Sequence, residues 1–171
     1  EQLGGRDHCT GNWKGVKCSG GEVVMINIVD NNQTGELRES LGGLVALDSL
    51  CLGYGGIGGE LPASLVKLTN ITYLTIAYHE IGGPLPASFD SFAKIEVLQL
   101  GGMHLTGEIP ALNMPELYYL NLFENQLSGP IPSLDQVPKL ERLQLISNNL
   151  EGTIPSLHKV PELTRLFLED N

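Results

Sequence analysis

The sequence lacks long apolar segments and is poor in basic residues. No apolar run approaches the roughly 20 residues that a membrane-spanning helix needs, and the opening residues EQLGGR contain no apolar core of a signal peptide. We expect any leader to have been removed or to lie outside these residues. Ten basic residues stand against twenty acidic ones, which gives a net charge of −10. This balance disfavours nucleic acid and anionic membranes as partners and favours a neutral or basic one.

Cysteine is also scarce, and the three cysteines predict different states: two are expected in a disulfide and one as a free thiol. Cys9 and Cys18 flank Trp13 in the segment CTGNWKGVKC. We expect a disulfide across this segment and therefore an oxidising compartment. A pair of reduced thiols is the alternative, and two cysteines at this spacing match no zinc site without further ligands. Cys51 has no remaining partner, so we expect a free thiol.

Residue patterns that indicate catalysis are equally scarce. The glycine-rich segment 53–59 lacks the Lys-Ser/Thr of a phosphate-binding loop. His79 and His104 lie on neighbouring repeats beside Glu80, but a metal site needs a further ligand at matching height, so we expect exposed histidines in turns. Cys51 has no supporting nucleophile motif, and the acidic pairs are scattered. The sequence therefore predicts no catalytic residue, no metal and no cofactor.

One sequence motif is repeated along the chain: leucines at fixed spacing, followed by Leu-x-Gly-x-Ile-Pro. Residues 114–136, MPELYYLNLFENQLSGPIPSLDQ, match the following VPKLERLQLISNNLEGTIPSLHK almost position for position. After a degenerate first unit, the units begin at Leu44, Leu68, Phe92, Met114, Val137 and Val160, with spacings of 24, 24, 22, 23 and 23 residues. A unit of this length cannot bury its own leucines, so it must stack on its neighbours in a solenoid.

The unit from Leu44 to Lys67 shows how each coil is expected to fold. The stretch Leu50-Cys51-Leu52 alternates as a strand does, and the strands of successive coils then pair in parallel. Residues 63–67 are predicted to return along the convex side as a short helix or 3₁₀ turn. The predicted fold class is an α/β solenoid with an inner parallel sheet, in which residues 1–22 form a cap and residues 23–171 form about six coils plus a truncated one. Because terminal coils need a polar cap, we expect the chain to continue past Asn171 or a partner to cover that end.

The repeated motif resembles the plant-specific class of leucine-rich repeats. The resemblance rests on Gly59-Glu60-Leu61-Pro62, Gly83-Pro84-Leu85-Pro86, Gly107-Glu108-Ile109-Pro110, Gly129-Pro130-Ile131-Pro132 and Gly152-Thr153-Ile154-Pro155, and on Trp13-Lys14-Gly15-Val16-Lys17-Cys18, which is similar to the W-x-G-V-x-C end of the family's N-terminal cap. It implies a right-handed superhelix with, in many members, a second short sheet. Most known members are ectodomains of receptor kinases and receptor-like proteins, and a secreted minority inhibits polygalacturonases.

The twelfth position of each coil departs from this family pattern in the middle of the chain. The family places an asparagine there, whose side chain bonds the backbone of the turn and of the next coil. In this sequence the position is occupied by Asn31, Gly55, His79, Met103, Asn125, Asn148 and Asn171. Unpaired buried amides are costly, so we expect the three middle coils to be irregular, with turn amides satisfied by water or by a shifted backbone.

The outward-facing strand positions form the candidate binding surface. Exposed aromatic residues on a rigid sheet are the usual anchors of an interface. The sequence offers Tyr54, Tyr73, Tyr78, Tyr119, Phe123 and Phe167 as partner-binding residues, with Arg142 and Arg165 as partners for carboxylates. We expect Tyr54, Tyr73 and Tyr78 to form one patch. Isolated exposed aromatics are also normal, and the lateral face is the alternative surface.

Three functions fit these observations, and none is enzymatic. The first is a recognition ectodomain, secreted or on the extracellular side of the plasma membrane, which binds a peptide or a second ectodomain through its concave face. The sequons at Asn32 and Asn70 agree with that location. The second is a secreted polygalacturonase inhibitor, although the acidic charge disfavours docking on pectin. The third is a scaffold or assembly subunit of a larger complex.

Overall fold

A computed structural model describes Cys9, Gly11, residues 13–30 and residues 32–171. The described part contains fourteen strands and three 3₁₀ helices. The strands are β1 (Val16–Ser19), β2 (Glu22–Val29), β3 (Thr34–Glu36), β4 (Ser49–Gly53), β5 (Gly56–Gly58), β6 (Tyr73–Ala77), β7 (Gly82–Pro84), β8 (Val97–Gln99), β9 (His104–Glu108), β10 (Tyr119–Asn121), β11 (Gln126–Pro130), β12 (Arg142–Gln144), β13 (Asn149–Glu151) and β14 (Arg165–Phe167). The helices are η1 (Glu39–Gly43), η2 (Ala63–Lys67) and η3 (Phe89–Ser91).

The predicted inner sheet is confirmed and runs through every coil. Its strand order is β1-β2-β4-β6-β8-β10-β12-β14, and every pair from β2 onward is parallel. The register pairs equivalent repeat positions, so that Leu50 lies beside Leu74, and Leu74 beside Leu98. Because each residue lies beside its counterpart in the next coil, the outward-facing residues form straight columns across the sheet.

A second set of short strands is formed by the Leu-x-Gly-x-Ile-Pro stretches, as the resemblance implied. Strands β3 and β5 pair with each other, and β7, β9, β11 and β13 form a four-stranded parallel sheet. An isolated bridge between Glu60 and Gly82 connects the two groups. After the first coil, every motif ends in a proline, which cannot donate to the next ladder bond and keeps the strand short.

The apolar positions of the repeat form one continuous core. Leu47, Leu50 and Leu52 are buried, as predicted, and each fully buried leucine contributes about 1.5–3 kcal/mol. Phe89 and Phe92 add the largest buried side chains, with ring centroids 5.3 Å apart in an edge-to-face arrangement. The expected 3₁₀ return over residues 63–67 is confirmed by η2.

The Glu39 side chain fixes the beginning of η2. Its two carboxylate oxygens accept hydrogen bonds from the backbone N–H groups of Ala63 and Ser64, each at 2.9 Å. The buried Ser64 hydroxyl donates to the Glu39 backbone carbonyl at 2.7 Å. The first backbone N–H groups of a helix have no partner within the helix, and the Glu39 carboxylate supplies one for Ala63 and Ser64. Together the three bonds connect η1 to η2.

The cap is joined to the repeats by a disulfide and by sheet pairing. Cys9 and Cys18 form the expected disulfide, with a Cα–Cα distance of 5.6 Å. Strand β1 pairs antiparallel with β2, so the described part of the cap extends the inner sheet. No helix in the described ranges is long and apolar enough to cross a membrane.

The asparagine column is regular in the last three coils. Asn125 accepts a hydrogen bond from the Leu105 N–H at 3.1 Å and donates to the Leu100 carbonyl at 2.7 Å. Asn148 and Asn171 repeat this arrangement one and two coils later. Each of these side chains therefore connects its own turn to the preceding coil.

The expectation of irregular middle coils was wrong. The Gly55 and Met103 amides continue the backbone bonding between coils, donating to the carbonyls of the next coil at 3.1 Å. His79 takes over the acceptor role of the missing asparagine, because its Nδ1 accepts the Ile57 N–H at 3.4 Å, whereas its buried Nε2 has no hydrogen-bond partner among the described atoms. The imidazole fits because Gly55 has no side chain: a Cβ there would lie 2.8 Å from the ring. Asn31, the first member of the column, lies outside the described residues.

Candidate binding face

Tyr54 and Tyr78 stack on each other at the end of two neighbouring strands of the inner sheet. Their ring centroids are 4.6 Å apart and the ring planes differ by 13°. Both rings are exposed, Tyr54 at 55% and Tyr78 at 40%. Both residues also have left-handed backbone, with φ of 55° and 57°, a conformation that is rare for bulky side chains. The same left-handed conformation recurs at the equivalent position of the other coils, so the repeat sets it, and these two coils hold aromatic residues there.

Phe123 extends this stack across a complete coil. Its ring meets Tyr78 edge to face, with centroids 5.7 Å apart. The coil between them presents Gly101 and Gly102 at this edge. A Cβ on Gly101 would lie 2.2 Å from the Phe123 ring, and a Cβ on Gly102 would lie 2.7 Å from the Tyr78 ring. The two rings therefore occupy the space that side chains of this coil would need. We call Tyr54, Tyr78 and Phe123 the aromatic ridge.

A second cluster lies at the opposite ends of the strands, in the last three coils. The Arg142 guanidinium carbon is 5.0 Å from the ring centroid of Tyr119 and 5.6 Å from that of Phe167. The Tyr119 hydroxyl donates to Gln144 Oε1 at 2.6 Å and accepts from the Asn121 amide at 3.2 Å. These bonds hold the Tyr119 ring beside the cation, and both rings have a favourable cation–π geometry.

Arg142 has a positive charge without a paired carboxylate in the part of the chain that the structure describes. Its Nε atom is buried and has no hydrogen-bond partner among the described atoms. Arg165, directly beside it in the sheet register, is exposed. Both border an open depression of about 270 Å³, lined by Tyr118, Tyr119, Glu141, Arg142, Thr164 and Arg165. Such a pair of cations can bind a carboxylate.

Tyr54 and Tyr78 lie together as expected, but Tyr73 does not join them, so the expected patch of all three was wrong in this residue. Tyr73 begins β6, and Tyr78 follows the end of that strand, which separates them by about 16 Å at 3.3 Å per residue. The Tyr73 hydroxyl donates to Glu96 at 3.2 Å. That contact raises the pKa of the Tyr73 phenol, with a smaller contribution from Tyr118.

Histidine, cysteine and sequon positions lie apart from these clusters. His79 is 3% exposed and not in an exposed turn as expected, and burial lowers its pKa. His104 is exposed and contacts Glu80 at 3.1 Å. Cys51 is a free thiol in the inner sheet, as expected, and burial raises its pKa.

The two sequon asparagines are both exposed. The Asn70 amide already donates to the Val45 carbonyl at 3.0 Å and accepts from Lys94 at 2.7 Å. Asn32 has left-handed backbone, with φ of 48°. Their glycosylation stays a prediction.

Sequence reasoning missed the acidic surroundings of the ridge and the role of the glycine pair. The left-handed position that holds Tyr54 and Tyr78 recurs in each coil and is occupied by Asp30, Tyr54, Tyr78, Gly102, Glu124, Ser147 and Asp170. The pKa of the Tyr78 phenol is raised, first by burial and then by the nearby Tyr54 and the Glu124 carboxylate. The adjacent Gly-Gly pair at 101–102, between two coils with aromatics, was the sequence signal that could have identified the ridge.

Comparison with known proteins gives matches by structure alone. No protein-family model matches the chain, and no curated protein sequence matches it. Among solved structures, Pollen Receptor Kinase 3 is similar with a TM-score of 0.84 and 28% identity, over 97% of this chain and 82% of that one.

Two longer receptor-kinase ectodomains from Arabidopsis are also similar. The HAESA ectodomain, solved with an N-terminally extended IDA peptide hormone, matches with a TM-score of 0.83 and 31% identity over 92% of this chain. The GASSHO1/SCHENGEN3 ectodomain, solved with CASPARIAN STRIP INTEGRITY FACTOR 2, matches with a TM-score of 0.80 and 27% identity, also over 92%. The chain spans 28% and 26% of these two ectodomains, respectively. The resemblance to plant leucine-rich-repeat receptor-kinase ectodomains, first seen in the repeat motif, is therefore confirmed in the fold.

Proposed function

From the leucine-rich-repeat fold that this chain shares with plant receptor-kinase ectodomains, we propose that it is a non-enzymatic recognition module. It binds a peptide or protein ligand on its concave inner face, and it acts outside the cell as part of a receptor-type ectodomain. The Cys9–Cys18 disulfide supports an oxidising compartment. Two of the similar ectodomains are complexes with peptide ligands, which supports a peptide as the partner.

The observation that supports the inner face most strongly is its two aromatic clusters, one with the exposed rings of Tyr54 and Tyr78 and one that is half-buried around Arg142. The ridge of Tyr54, Tyr78 and Phe123 lies at one edge of the face, and the Tyr119–Arg142–Phe167 cluster lies at the other. Rigid aromatic side chains with an accompanying arginine are the residue types that dominate binding energy in interfaces. Because the sheet holds them in fixed register, little conformational entropy is lost when a ligand binds.

The two clusters are separated by a distance that suits a short extended peptide. Tyr78 and Arg142 differ by three strand spacings of about 4.8 Å and by about five residues along the strands, so they lie roughly 20 Å apart. An extended chain covers about 3.3–3.6 Å per residue, so six or seven residues bridge them. In this arrangement Arg142 and Arg165 bind a carboxylate of the ligand.

The test uses a phage-displayed library of random twelve-residue peptides, selected on the wild-type protein. Two matched variants then report where the selected peptides bind. Thr75 and Thr106 are both half-buried threonines, but Thr75 lies on the inner sheet and Thr106 on the second sheet. We expect Thr75→Arg to weaken binding at least tenfold and Thr106→Arg to change it less than twofold. A selection that yields no binder, or a loss of binding confined to Thr106→Arg, would overturn the proposal.

A further inference from the structure

We propose that the ligand of the inner face has a basic segment, and that one of its arginine or lysine side chains binds between the free face of the Tyr54 ring and the Asp30 carboxylate. This inference rests on the proposed function and specifies the chemistry of the ligand at the ridge. It follows from the direction in which the aromatic rings stack and from the charges at the end of that stack.

The free ring face is identified by the stacking geometry. The 4.6 Å separation of the Tyr54 and Tyr78 centroids equals the spacing of adjacent strands, about 4.8 Å, so the two rings stack along the solenoid axis. One face of Tyr54 is covered by Tyr78. The other face points toward the first coil, whose residue at the equivalent position is Asp30 and not an aromatic one. This uncovered face accounts for the 55% exposure of Tyr54.

The residue at the equivalent position of the first coil is an aspartate. Asp30 has the same left-handed backbone as Tyr54, with φ of 52°, and its N–H donates to the Gly53 carbonyl at 3.1 Å. Asp30 is exposed and short, and its coil lies one strand spacing of about 4.8 Å from that of Tyr54, so its carboxylate is within reach of a cation on the open ring face. A cation over this face therefore meets a π-system on one side and a carboxylate on the other, and the two attractions add.

The charges around the ridge favour a cation and oppose an anion. The seven residues of the left-handed column include Asp30, Glu124 and Asp170 but no lysine or arginine. Glu124 follows Phe123 at the other end of the ridge. The described cations of the inner sheet are Lys17, Arg142 and Arg165. Arg142 and Arg165 begin their strands, and Lys17 pairs with Met25, which lies beside the first residue of β4, so all three lie opposite the ridge. The chain as a whole has a net charge of −10, which steers basic ligands toward it.

The experiment compares a five-residue capped peptide with a central arginine and its citrulline counterpart, which has nearly the same shape without the charge. Both are titrated into the wild-type protein while the Tyr54 ring resonances are followed by NMR. We expect the arginine peptide to shift these resonances and to bind at least fivefold more tightly than the citrulline peptide. Equal affinities, or an unmoved Tyr54 ring, would overturn the inference whatever any variant does.

Two matched variants locate the counter-charge. Asp30→Asn and Asp170→Asn remove the same charge from the same left-handed column, but only Asp30 adjoins the ridge. We expect Asp30→Asn to weaken binding of the arginine peptide at least threefold and Asp170→Asn to leave it within 1.5-fold. Equal losses would mean that the net charge alone attracts the peptide, and the inference would fail. If the peptide library yields inner-face binders while the arginine probe fails, the proposed function survives without this specificity.

Discussion

The ring of Tyr78 meets the ring of Phe123 edge to face at 5.7 Å, although a complete coil separates the two residues in the solenoid. Strand spacing alone places them two coils apart, at about 9–10 Å. They reach each other because Gly101 and Gly102 leave the intervening coil without side chains at this edge. Two missing side chains therefore create a continuous aromatic surface from three separate coils.

Replacing Gly101 by alanine should break this contact. The new Cβ would lie 2.2 Å from the Phe123 ring, so the ring must move away from Tyr78. We expect a loss of about 1 kcal/mol in the free energy of unfolding, the size of an aromatic pair, measured by urea denaturation. Gly53→Ala is the control, because Gly53 has the equivalent position and its Cβ would meet nothing closer than 3.6 Å. Equal behaviour of the two variants would contradict the role given to Gly101.

The buried His79 predicts a pH dependence of stability. Burial holds the pKa of His79 below its ordinary value of 6.5, so the unfolded chain takes up the proton more readily than the folded one. Stability should therefore fall as the pH falls from about 6.5 through the lower folded pKa, and then level off. Protonation of Nδ1 would also remove the acceptor of the Ile57 N–H.

His79→Asn supplies an amide oxygen in place of the imidazole and does not titrate. We expect urea denaturation of this variant to show a smaller loss of stability than the wild type between pH 7 and pH 5. If the two pH profiles are parallel in this range, the titration of His79 does not contribute to stability.

Glu39 predicts a second pH effect in a more acidic range. Hydrogen bonding by Ser64 first, and then by the Ala63 N–H, holds the pKa of Glu39 below its ordinary value of 4.5. Its contribution is therefore present above pH 4.5 and is lost as the pH falls through the folded pKa. The stability difference between wild type and Glu39→Gln, measured by denaturation at several pH values, should shrink as the pH falls from 5 to 3. A constant difference would show that the ionised carboxylate is not what holds η2.

Arg142 should affect binding more than stability. Its guanidinium has no carboxylate partner among the described residues, so Arg142→Met removes mainly the cation–π contacts with Tyr119 and Phe167. We expect a change in unfolding free energy of about 1 kcal/mol or less. Affinity for library-selected peptides that contain a carboxylate should fall at least fivefold. A large loss of stability with unchanged affinity would make Arg142 a structural residue.

The sequence predicted the coils, the inner sheet and the 3₁₀ return at 63–67, because each depends on local spacing that the repeat makes regular. It predicted the disulfide from the two cysteines that flank Trp13 in the cap. The sequence placed Tyr54 and Tyr78 in one patch, but it predicted neither the stacking of their rings nor the extension of the ridge to Phe123. Tyr54 and Tyr78 hold the position before the asparagine column, and only the structure shows that this position has left-handed backbone and lets the two rings stack. His79 was missed for a related reason: its burial depends on the space left by Gly55, a residue 24 positions earlier in the chain.

The most direct test of the account is photo-cross-linking of a library-selected peptide. Benzoylphenylalanine is placed either at Tyr73, which is exposed on the inner sheet, or at Gln126, which is exposed on the second sheet. The account predicts that the peptide cross-links at position 73 and not at position 126, and that unlabelled peptide in excess suppresses the reaction. Cross-linking confined to position 126 would contradict recognition through the inner face.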